Sequence, residues 1–458
     1  MDNFSTGHDR PEFVRDFPWR GRFSESDLST TRGFVFQYPP FPVVADRTTA
    51  EILDTRETAG LYVHLPFCPY HCDYCYYAVS LDHRRESIER YLRALKREIT
   101  VVAARAKHGH KVTTVFFGGG TPTYLTSDDL LGVASCLREH FGLEHLEEFT
   151  VEGDPTTLTL EKLQALRYGG VNRISIGIQS FTTAVNFANE RKHSFEQSLA
   201  AIALARMAGF SNINIDLICG LVGETESSWD TSLKTLLAVA PEHVTIYLFS
   251  LRPQTRAFVK LNRTHSAPPS EERRVAWMLE VTERLLQAGY RQTTANCFVR
   301  RPEFEQIHQR NAWSSLPLIG FGNSAYSYFD NAVTQNVRSI DKYRALVEFA
   351  GDARAIRVGL NCRDQMTRYC ILRLKQLRIP RAEFARRFGF ELFEIFGERI
   401  QALVELGLVE VDDAAVTATR KGAIYVDDAC RLLYGNDVQD RMSHLEDTAL
   451  RPLIRSLV

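Results

Sequence analysis

Three cysteines, Cys68, Cys72 and Cys75, lie close together in the segment HLPFCPYHCDYCYYAVS, whereas the other six cysteines are dispersed singly. Nine cysteines in 458 residues would rarely give this C-x3-C-x2-C spacing by chance. Thiolates in such a group are typical ligands of zinc or of iron–sulfur clusters. Structural zinc takes four ligands, and the nearby His64 and His71 are poorly placed in the sequence to supply the fourth. The triad therefore favours a [4Fe–4S] cluster with one iron left open to a small molecule.

The cysteine segment follows the first of several β-branched or aromatic runs that alternate with helical patterns. The predicted strands are residues 61–67, 113–119, 148–154, 173–181, 212–221 and 243–251. Helical patterns between them include residues 87–106, 127–141, 194–209 and 228–240. This alternation predicts parallel strands with crossover helices. Six units are too few for a full eight-stranded barrel, so the pattern is compatible with a partial barrel or with an open doubly wound sheet.

In both architectures the chemistry lies at the carboxyl ends of the parallel strands. Glycines and polar residues recur at these positions, namely Gly118–Gly120, Glu152, Gln179, Asp216 and Ser250. A Gly-rich segment at 316–329 is predicted to be a buried turn. We expect the cysteine segment and these strand ends to form one site.

The chain is predicted to consist of an N-terminal extended arm (1–55), an α/β core with an extension (56–360) and a C-terminal domain (361–458). The C-terminal domain combines helices with a short hairpin, which is typical of a winged-helix-like fold. A disordered tail is the alternative for the arm. Four aromatic residues favour packing instead: Phe34, Phe36, Tyr38 and Phe41.

Composition excludes several classes of protein. The formal net charge is −1, with 55 Lys and Arg against 56 Asp and Glu, so nothing indicates nucleic-acid binding. The apolar runs are too short to span a bilayer. The polar N-terminus resembles neither a secretory signal nor a transit peptide. We therefore expect a cytoplasmic protein with reduced cysteines and no membrane partner.

At the cysteine motif the sequence resembles the radical S-adenosylmethionine (SAM) superfamily. The segments LYVHLPFC, FFGGGTPTYL, RISIGIQSF, NIDLICGL and GFGNSAYS together are similar to oxygen-independent coproporphyrinogen III oxidase and its relatives. The resemblance covers the chain from about residue 60 to the C-terminus. It implies a partial (β/α)6 barrel, a [4Fe–4S] cluster on Cys68, Cys72 and Cys75, two SAM molecules, a small-molecule substrate and an electron donor such as flavodoxin or ferredoxin.

The same resemblance implies roles for residues at the strand ends. The cluster-bound SAM would contact Tyr62, Gly119, Glu152, Ser250 and Tyr326. The second SAM would contact Tyr74, Gly120, Thr121, Gln179, Arg191 and Asp216. The residue types suit these roles, because glycines allow close approach, carboxylates can bind hydroxyl or ammonium groups, and an arginine can bind a carboxylate in bidentate fashion.

One departure from the family pattern decides which function the sequence predicts. The oxidase carries a further cysteine two residues after the third, whereas this chain has Tyr77 there. Relatives that act as heme chaperones start close to their cysteine motif, unlike this chain. We therefore expect the branch that uses the second SAM as a carbon donor for methylation or cyclopropanation of an unsaturated carbon in a natural product. Oxidative decarboxylation of a porphyrinogen and non-catalytic heme binding are the alternatives. As acid–base residues we nominate Tyr76, Tyr77 and His71, which lie near the cluster ligands.

Overall fold

The computed structural model describes residues 24–30, 34–35, 37–40, 58–105, 111–252, 255–264 and 267–442. The chain divides into two compact units, which are residues 49–357 and residues 1–48 together with 358–458. The predicted division at residues 55 and 360 stays a prediction. Within the described residues, every helix is too short or too polar to cross a bilayer.

The larger unit is built on six parallel strands joined by crossover helices. The strands are β1 (Thr58–Leu65), β2 (Lys111–Gly119), β3 (Glu148–Gly153), β4 (Arg173–Gln179), β5 (Ile213–Cys219) and β6 (His243–Leu248). The crossover helices are α1 (Arg85–Arg105), α2 (Ser127–Phe141), α3 (Leu160–Tyr168), α4 (Thr183–Ala188), α5 (Phe195–Met207) and α6 (Glu226–Val239). Thr126, Ser194 and Thr225 cap α2, α5 and α6 with side-chain hydrogen bonds to the first turn.

These six strands are hydrogen-bonded in sequence order, each parallel to the next. The order confirms the partial (β/α)6 barrel that the alternation of elements predicted. Because the strands are parallel, their carboxyl ends lie along one edge, where the cysteine segment follows β1.

Further elements extend the sheet at both ends. They are α7 (Arg256–Thr264), α8 (Glu271–Gln287), β7 (Arg291–Gln292), β8 (Cys297–Val299), α9 (Ile307–Trp313), β9 (Leu318–Phe321), β10 (Tyr326–Phe329), β11 (Ala332–Asn336), α10 (Ile340–Ala350) and β12 (Arg354–Gly359). The sheet order is β12-β11-β10-β9-β1-β2-β3-β4-β5-β6-β8-β7. The prediction of a turn over 316–329 was wrong in extent, because the segment also contains β9 and β10. Only its centre turns, at Gly322, whose φ of 92° an L-side chain rarely adopts.

Helix α9 packs across the amino ends of the barrel strands. The carboxylate of Glu148 on β3 accepts hydrogen bonds from the backbone N–H groups of Ile307 (2.7 Å) and His308 (3.2 Å) at the start of this helix. The His308 ring hydrogen-bonds Thr114 at 2.9 Å and stacks on Phe116. The amino end of the barrel is thus filled, and the carboxyl end is left for chemistry.

The smaller unit holds the C-terminal elements. These are α11 (Cys362–Lys375), β13 (Arg378–Pro380), α12 (Arg381–Phe388), α13 (Leu392–Glu405), β14 (Val409–Val411), β15 (Ala415–Ala418), α14 (Arg420–Ile424) and α15 (Val426–Leu432). Strand β15 lies between β13 and β14 and is antiparallel to both. These five helices and the small sheet form the predicted winged-helix-like domain.

The described part of the N-terminal arm packs on this C-terminal domain. The backbone N–H of Val35 donates to Asp427 at 2.7 Å, and the Tyr38 ring packs on Tyr434 with centroids 5.1 Å apart. Lys375 lies over the ring of Phe34, 3.6 Å from its centroid. Packing was predicted from four aromatic residues, of which Phe36 and Phe41 lie outside the described residues.

Candidate active site

The three clustered cysteines occupy a tight loop after β1. Cys68 and Cys72 are buried and Cys75 is half-buried, and all three are free thiols. Backbone hydrogen bonds shape the loop, from the Cys68 N–H to the Ser80 carbonyl (3.0 Å) and from the Cys75 N–H to the Cys72 carbonyl (3.2 Å). Burial raises the pKa of Cys75 to about 12, with further contributions from the Cys72 and Cys68 thiols. The three sulfur atoms therefore lie near one another around one space.

This loop fits a cluster better than a single metal ion. Among the residues that the structure describes, no three His, Cys, Asp or Glu side chains are arranged to hold one ion. A cubane cluster binds each thiolate through a different iron, so it does not need that arrangement. Three largely buried thiols on one loop are the donor set that a [4Fe–4S] cluster takes.

The glycines at the end of β2 pack directly against the cysteine loop. A Cβ on Gly120 would lie 2.7 Å from the Pro66 carbonyl carbon, and one on Gly119 would lie 2.5 Å from Nδ1 of His64. Gly119 also has a φ of 109°, which favours glycine. The hydroxyl of Thr121 donates to the Cys68 sulfur at 3.5 Å. A side chain larger than hydrogen would therefore clash at Gly119 and Gly120, where the end of β2 meets β1 and the start of the cysteine loop.

Arg191, in the loop after α4, also contacts the cysteine loop. Its guanidinium pairs with the buried carboxylate of Asp154 at 2.8 Å and also donates to the Gly177 carbonyl. Its Nη1 lies 3.7 Å from the Cys72 sulfur and 3.4 Å from the Tyr74 hydroxyl. The structure therefore brings together Arg191 and Tyr74, both of which the sequence analysis assigned to one SAM.

Two carboxylates lie on the strands that flank β4: Glu152 is next to the end of β3, and Asp216 lies in the middle of β5 and not at its predicted place at the strand end. The pKa of Glu152 is raised to about 8 by burial and then by Asp216, against the opposing effects of the Gly119 N–H and Arg173. The pKa of Asp216 is also raised by burial, and hydrogen bonds from Asn214 and Ser175 oppose that rise. Perturbed carboxylates such as these are typical of a functional site.

Asp216 is held by a chain of buried hydrogen bonds along the inner face of β4 to β6. The Asn214 amide donates to Asp216 (2.8 Å) and to the Ser175 oxygen (2.8 Å), and the Ser175 hydroxyl donates to the other Asp216 oxygen (3.0 Å). The Asn214 carbonyl oxygen in turn bonds His243 at 2.5 Å and accepts from Thr245 at 3.1 Å. These hydrogen bonds hold both carboxylate oxygens of Asp216 in one orientation.

The remaining predicted SAM contacts lie on strands of the extended sheet or directly after them. Tyr62 on β1 is half-buried, and its hydroxyl bonds His64 at 3.1 Å. Gln179 ends β4 with a φ of 65°, a left-handed conformation that is uncommon for a residue with a side chain. Ser250 follows β6, and Tyr326 begins β10. These positions are compatible with the predicted roles, which stay predictions.

The three nominated acid–base residues are placed differently from one another. Tyr76 and Tyr77 stack, with ring centroids 4.7 Å apart and an interplanar angle of 22°. Tyr77 is 52% exposed. His71 is half-buried, and its carbonyl oxygen accepts a hydrogen bond from Arg256 at 3.2 Å. Their participation in acid–base chemistry stays a prediction.

Sequence reasoning assigned no role to four residues that hold the site together: Tyr70, Asp154, Ser175 and Asn214. Asp154 follows Glu152 at the end of β3, and its position there was the available signal. Ser175 and Asn214 share the inward-facing alternation of β4 and β5, which indicates only that they point into the barrel. The sequence indicated nothing about Tyr70 except that it lies between Cys68 and Cys72.

Comparison with known proteins agrees with this geometry. The sequence model of the Radical SAM superfamily matches residues 62–236, and that of the HemN C-terminal domain matches residues 360–425. The fold and the cysteine loop therefore define a radical SAM protein.

The similarity extends over most of the chain. The heme chaperone HemW of Bacillus subtilis (strain 168) is 30% identical over 79% of this chain and 96% of that protein. The oxygen-independent coproporphyrinogen III oxidase of Escherichia coli (strain K12) is 29% identical over 81% of this chain and 84% of that protein. The solved structure of coproporphyrinogen III oxidase (HemN) from Escherichia coli has a TM-score of 0.73 and 27% identity, covering 82% of this chain and 90% of that one. The chain belongs to the radical SAM family of coproporphyrinogen III oxidases and HemW heme chaperones.

Membership of this family establishes the cofactors as a [4Fe–4S] cluster and SAM. The assignment of Cys68, Cys72 and Cys75 as the cluster ligands stays a prediction, which the motif and the shape of the loop support. These relatives are oxidases and a heme chaperone, so the comparisons support both alternatives better than they support the expected alkyl transfer.

Proposed function

We propose that this radical SAM enzyme removes a hydrogen atom from a small-molecule substrate, and that oxidative decarboxylation of a porphyrinogen is the first candidate reaction. The observation that carries hydrogen abstraction is the convergence of the cysteine loop, Arg191 and the carboxylates Glu152 and Asp216 in one part of the barrel. The similarity to the E. coli oxidase over most of both chains supports the choice of reaction.

The protein residues would bind and orient the cofactors. The cluster and SAM, when bound, supply a 5′-deoxyadenosyl radical. Arg191 offers a guanidinium suited to a SAM carboxylate, and its contact with Asp154 fixes its direction. Glu152 and Asp216 offer carboxylates suited to ribose hydroxyls or to an ammonium group. Gly119 and Gly120 let the end of β2 pack closely on His64 and on the backbone of Pro66, just ahead of the cysteines.

Alkyl transfer from a second SAM is a second candidate because of one observation. Tyr77 occupies the position at which the oxidases carry a further cysteine, and its half-exposed ring changes what the site presents to a substrate. Heme binding is a third candidate, supported by the likeness to HemW of B. subtilis. Each candidate predicts a different experimental outcome.

Anaerobic reconstitution followed by mass spectrometry distinguishes the three candidate functions. The protein would be incubated with SAM, dithionite and coproporphyrinogen III. Decarboxylation gives 5′-deoxyadenosine, CO2 and a lighter porphyrinogen, whereas alkyl transfer gives S-adenosylhomocysteine and a heavier product. A heme chaperone would bind added heme and form little 5′-deoxyadenosine.

Single substitutions of the ligands test the radical step itself. Cys68→Ala, Cys72→Ala and Cys75→Ala should each lose iron, sulfide and 5′-deoxyadenosine. Cys136→Ala is the matched control, because that half-buried cysteine lies on α2 outside the loop. Formation of 5′-deoxyadenosine by a ligand variant would contradict the proposal.

A further inference from the structure

The two tyrosines that follow the last cluster ligand form a stack with an arginine. The rings of Tyr76 and Tyr77 stack at 4.7 Å, and Cζ of Arg252 lies 3.9 Å from the centroid of the Tyr76 ring. Arg252 and Tyr77 therefore both pack on the Tyr76 ring. The carbonyl oxygen of Tyr76 accepts a hydrogen bond from Arg338 at 3.3 Å, which fixes the backbone at this point.

The stack ends in an open aromatic face. Tyr77 is 52% exposed although it follows Cys75 by only two residues, and Tyr247 near the end of β6 is 41% exposed. Tyr77 lies in the segment that follows β1 at the carboxyl ends of the parallel strands.

We propose that Tyr77, backed by Tyr76 and Arg252, stacks on a flat conjugated ring of the substrate beside the cysteine loop. Aromatic rings prefer parallel offset or edge-on partners, and a ring already held in a stack loses little conformational entropy when it binds. The guanidinium packed on Tyr76 reinforces the stack through a cation–π contact. This inference rests on the proposed function, because it names the class of small molecule that the radical would attack.

A pair of probes of similar size and equal charge tests the preference for flatness. 2-Naphthoate is flat and conjugated, whereas decahydro-2-naphthoate is saturated and puckered, and both are monoanions at neutral pH. Each would be titrated by NMR against the anaerobic, cluster-loaded protein in the presence of SAM. We expect the flat probe to bind about tenfold more tightly than the saturated one, as stacking on an aromatic side chain provides.

Variants of the tyrosine assign this preference to its ring. Tyr77→Ala should abolish the preference by weakening the flat probe alone, and Tyr77→Phe should retain it because the ring remains. Tyr168→Ala is the matched control, since Tyr168 is 95% exposed at the end of α3. Iron content and thermal unfolding of each variant would show that the loop still folds.

Three results would overturn the inference. They are equal binding of the two probes to the wild type, no binding of the flat probe up to its solubility limit, and an unchanged preference in Tyr77→Ala. The formation of 5′-deoxyadenosine from SAM and dithionite, measured in the same samples without a probe, reports separately on the proposed function. A protein that cleaves SAM but binds the two probes equally would retain the proposed function and refute the stacking role of Tyr77.

Discussion

The carboxylate of Asp154 pairs with the guanidinium of Arg191 at 2.8 Å and accepts a hydrogen bond from the hydroxyl of Tyr70 at 2.5 Å. Tyr70 lies between Cys68 and Cys72, so a single carboxylate connects the cysteine loop to the arginine expected to bind SAM. The other oxygen of Asp154 accepts from the backbone and side chain of Thr156. With all these partners, and only 2% exposed, Asp154 is fixed at the junction of three segments.

Replacing this carboxylate should destabilise the protein and weaken SAM binding. Asp154→Asn leaves Arg191 buried without its anionic partner, and breaking such a pair costs about 3–5 kcal/mol. Denaturant unfolding under anaerobic conditions measures that loss, and the KM for SAM should rise because the guanidinium is no longer oriented. Asp82→Asn is the control, because Asp82 pairs with the exposed Arg84 and its loss should change stability very little. Equal costs for the two variants would contradict the connecting role of Asp154.

A smaller effect is expected from the hydrogen bonds that orient Asp216. Ser175→Ala removes one donor from the carboxylate while the Asn214 amide remains, so stability should fall by about 0.5–1.5 kcal/mol. The KM for SAM should rise several-fold, because the carboxylate can rotate, while kcat stays near the wild-type value. Thr231→Ala on the exposed side of α6 serves as control. If kcat falls and KM is unchanged, Ser175 does not act by positioning Asp216.

The sequence was informative about the elements because each strand and helix follows a local pattern. Strands β2 to β6 lie within three residues of their predicted bounds, and their order follows from the alternation with helices. Helix α3 was not predicted, and the short helix α4 and the strands β9 and β10 lie in segments whose patterns are weak. Their conformation depends on packing against distant parts of the sheet, which local propensity does not encode.

The candidate site was predictable where a residue type alone implies chemistry. The cysteine spacing indicated the cluster loop, and the positions of Glu152, Arg191 and Asp216 were given by family resemblance. The links made by Tyr70 and Asp154 depend on a contact between residues far apart in the chain. The same applies to the stack of Arg252 on Tyr76, since no spacing rule relates those positions.

A methyl group at Gly119 should disrupt the site without removing any chemical group from it. Its φ of 109° is unfavourable for alanine, and the added Cβ would lie 2.5 Å from His64 Nδ1. We expect Gly119→Ala to cost about 1–3 kcal/mol and to reduce cluster content, because the β2 backbone must move away from His64 on β1, the strand that leads into the cysteine loop. Iron and sulfide analysis with thermal unfolding measures both effects. Gly397→Ala on α13 is the control, since a Cβ there meets nothing within 4 Å. Full cluster loading in Gly119→Ala would show that the close approach is unnecessary.

The raised pKa of Glu152 should make both stability and SAM binding depend on pH. Burial, followed by the charge of Asp216, raises its pKa to about 8. Between pH 4.5 and 8 the folded protein therefore holds a proton that the unfolded chain has released, and the unfolding free energy due to Glu152 falls as pH rises. Unfolding of the wild type and of Glu152→Gln, compared from pH 5 to pH 9, should show the wild type losing stability relative to the variant across this window.

SAM binding should depend on pH in the opposite direction, because an ionised Glu152 attracts the positively charged ligand. The KM for SAM should decrease as pH rises toward about 8, the pKa of this carboxyl. An α-amino group also titrates at roughly 7.7–8.0, so the wild type and Glu152→Gln must be compared in parallel. Only the pH dependence that disappears in the Gln variant belongs to the carboxylate. Parallel profiles for the two proteins would show that Glu152 does not contact SAM through its charge.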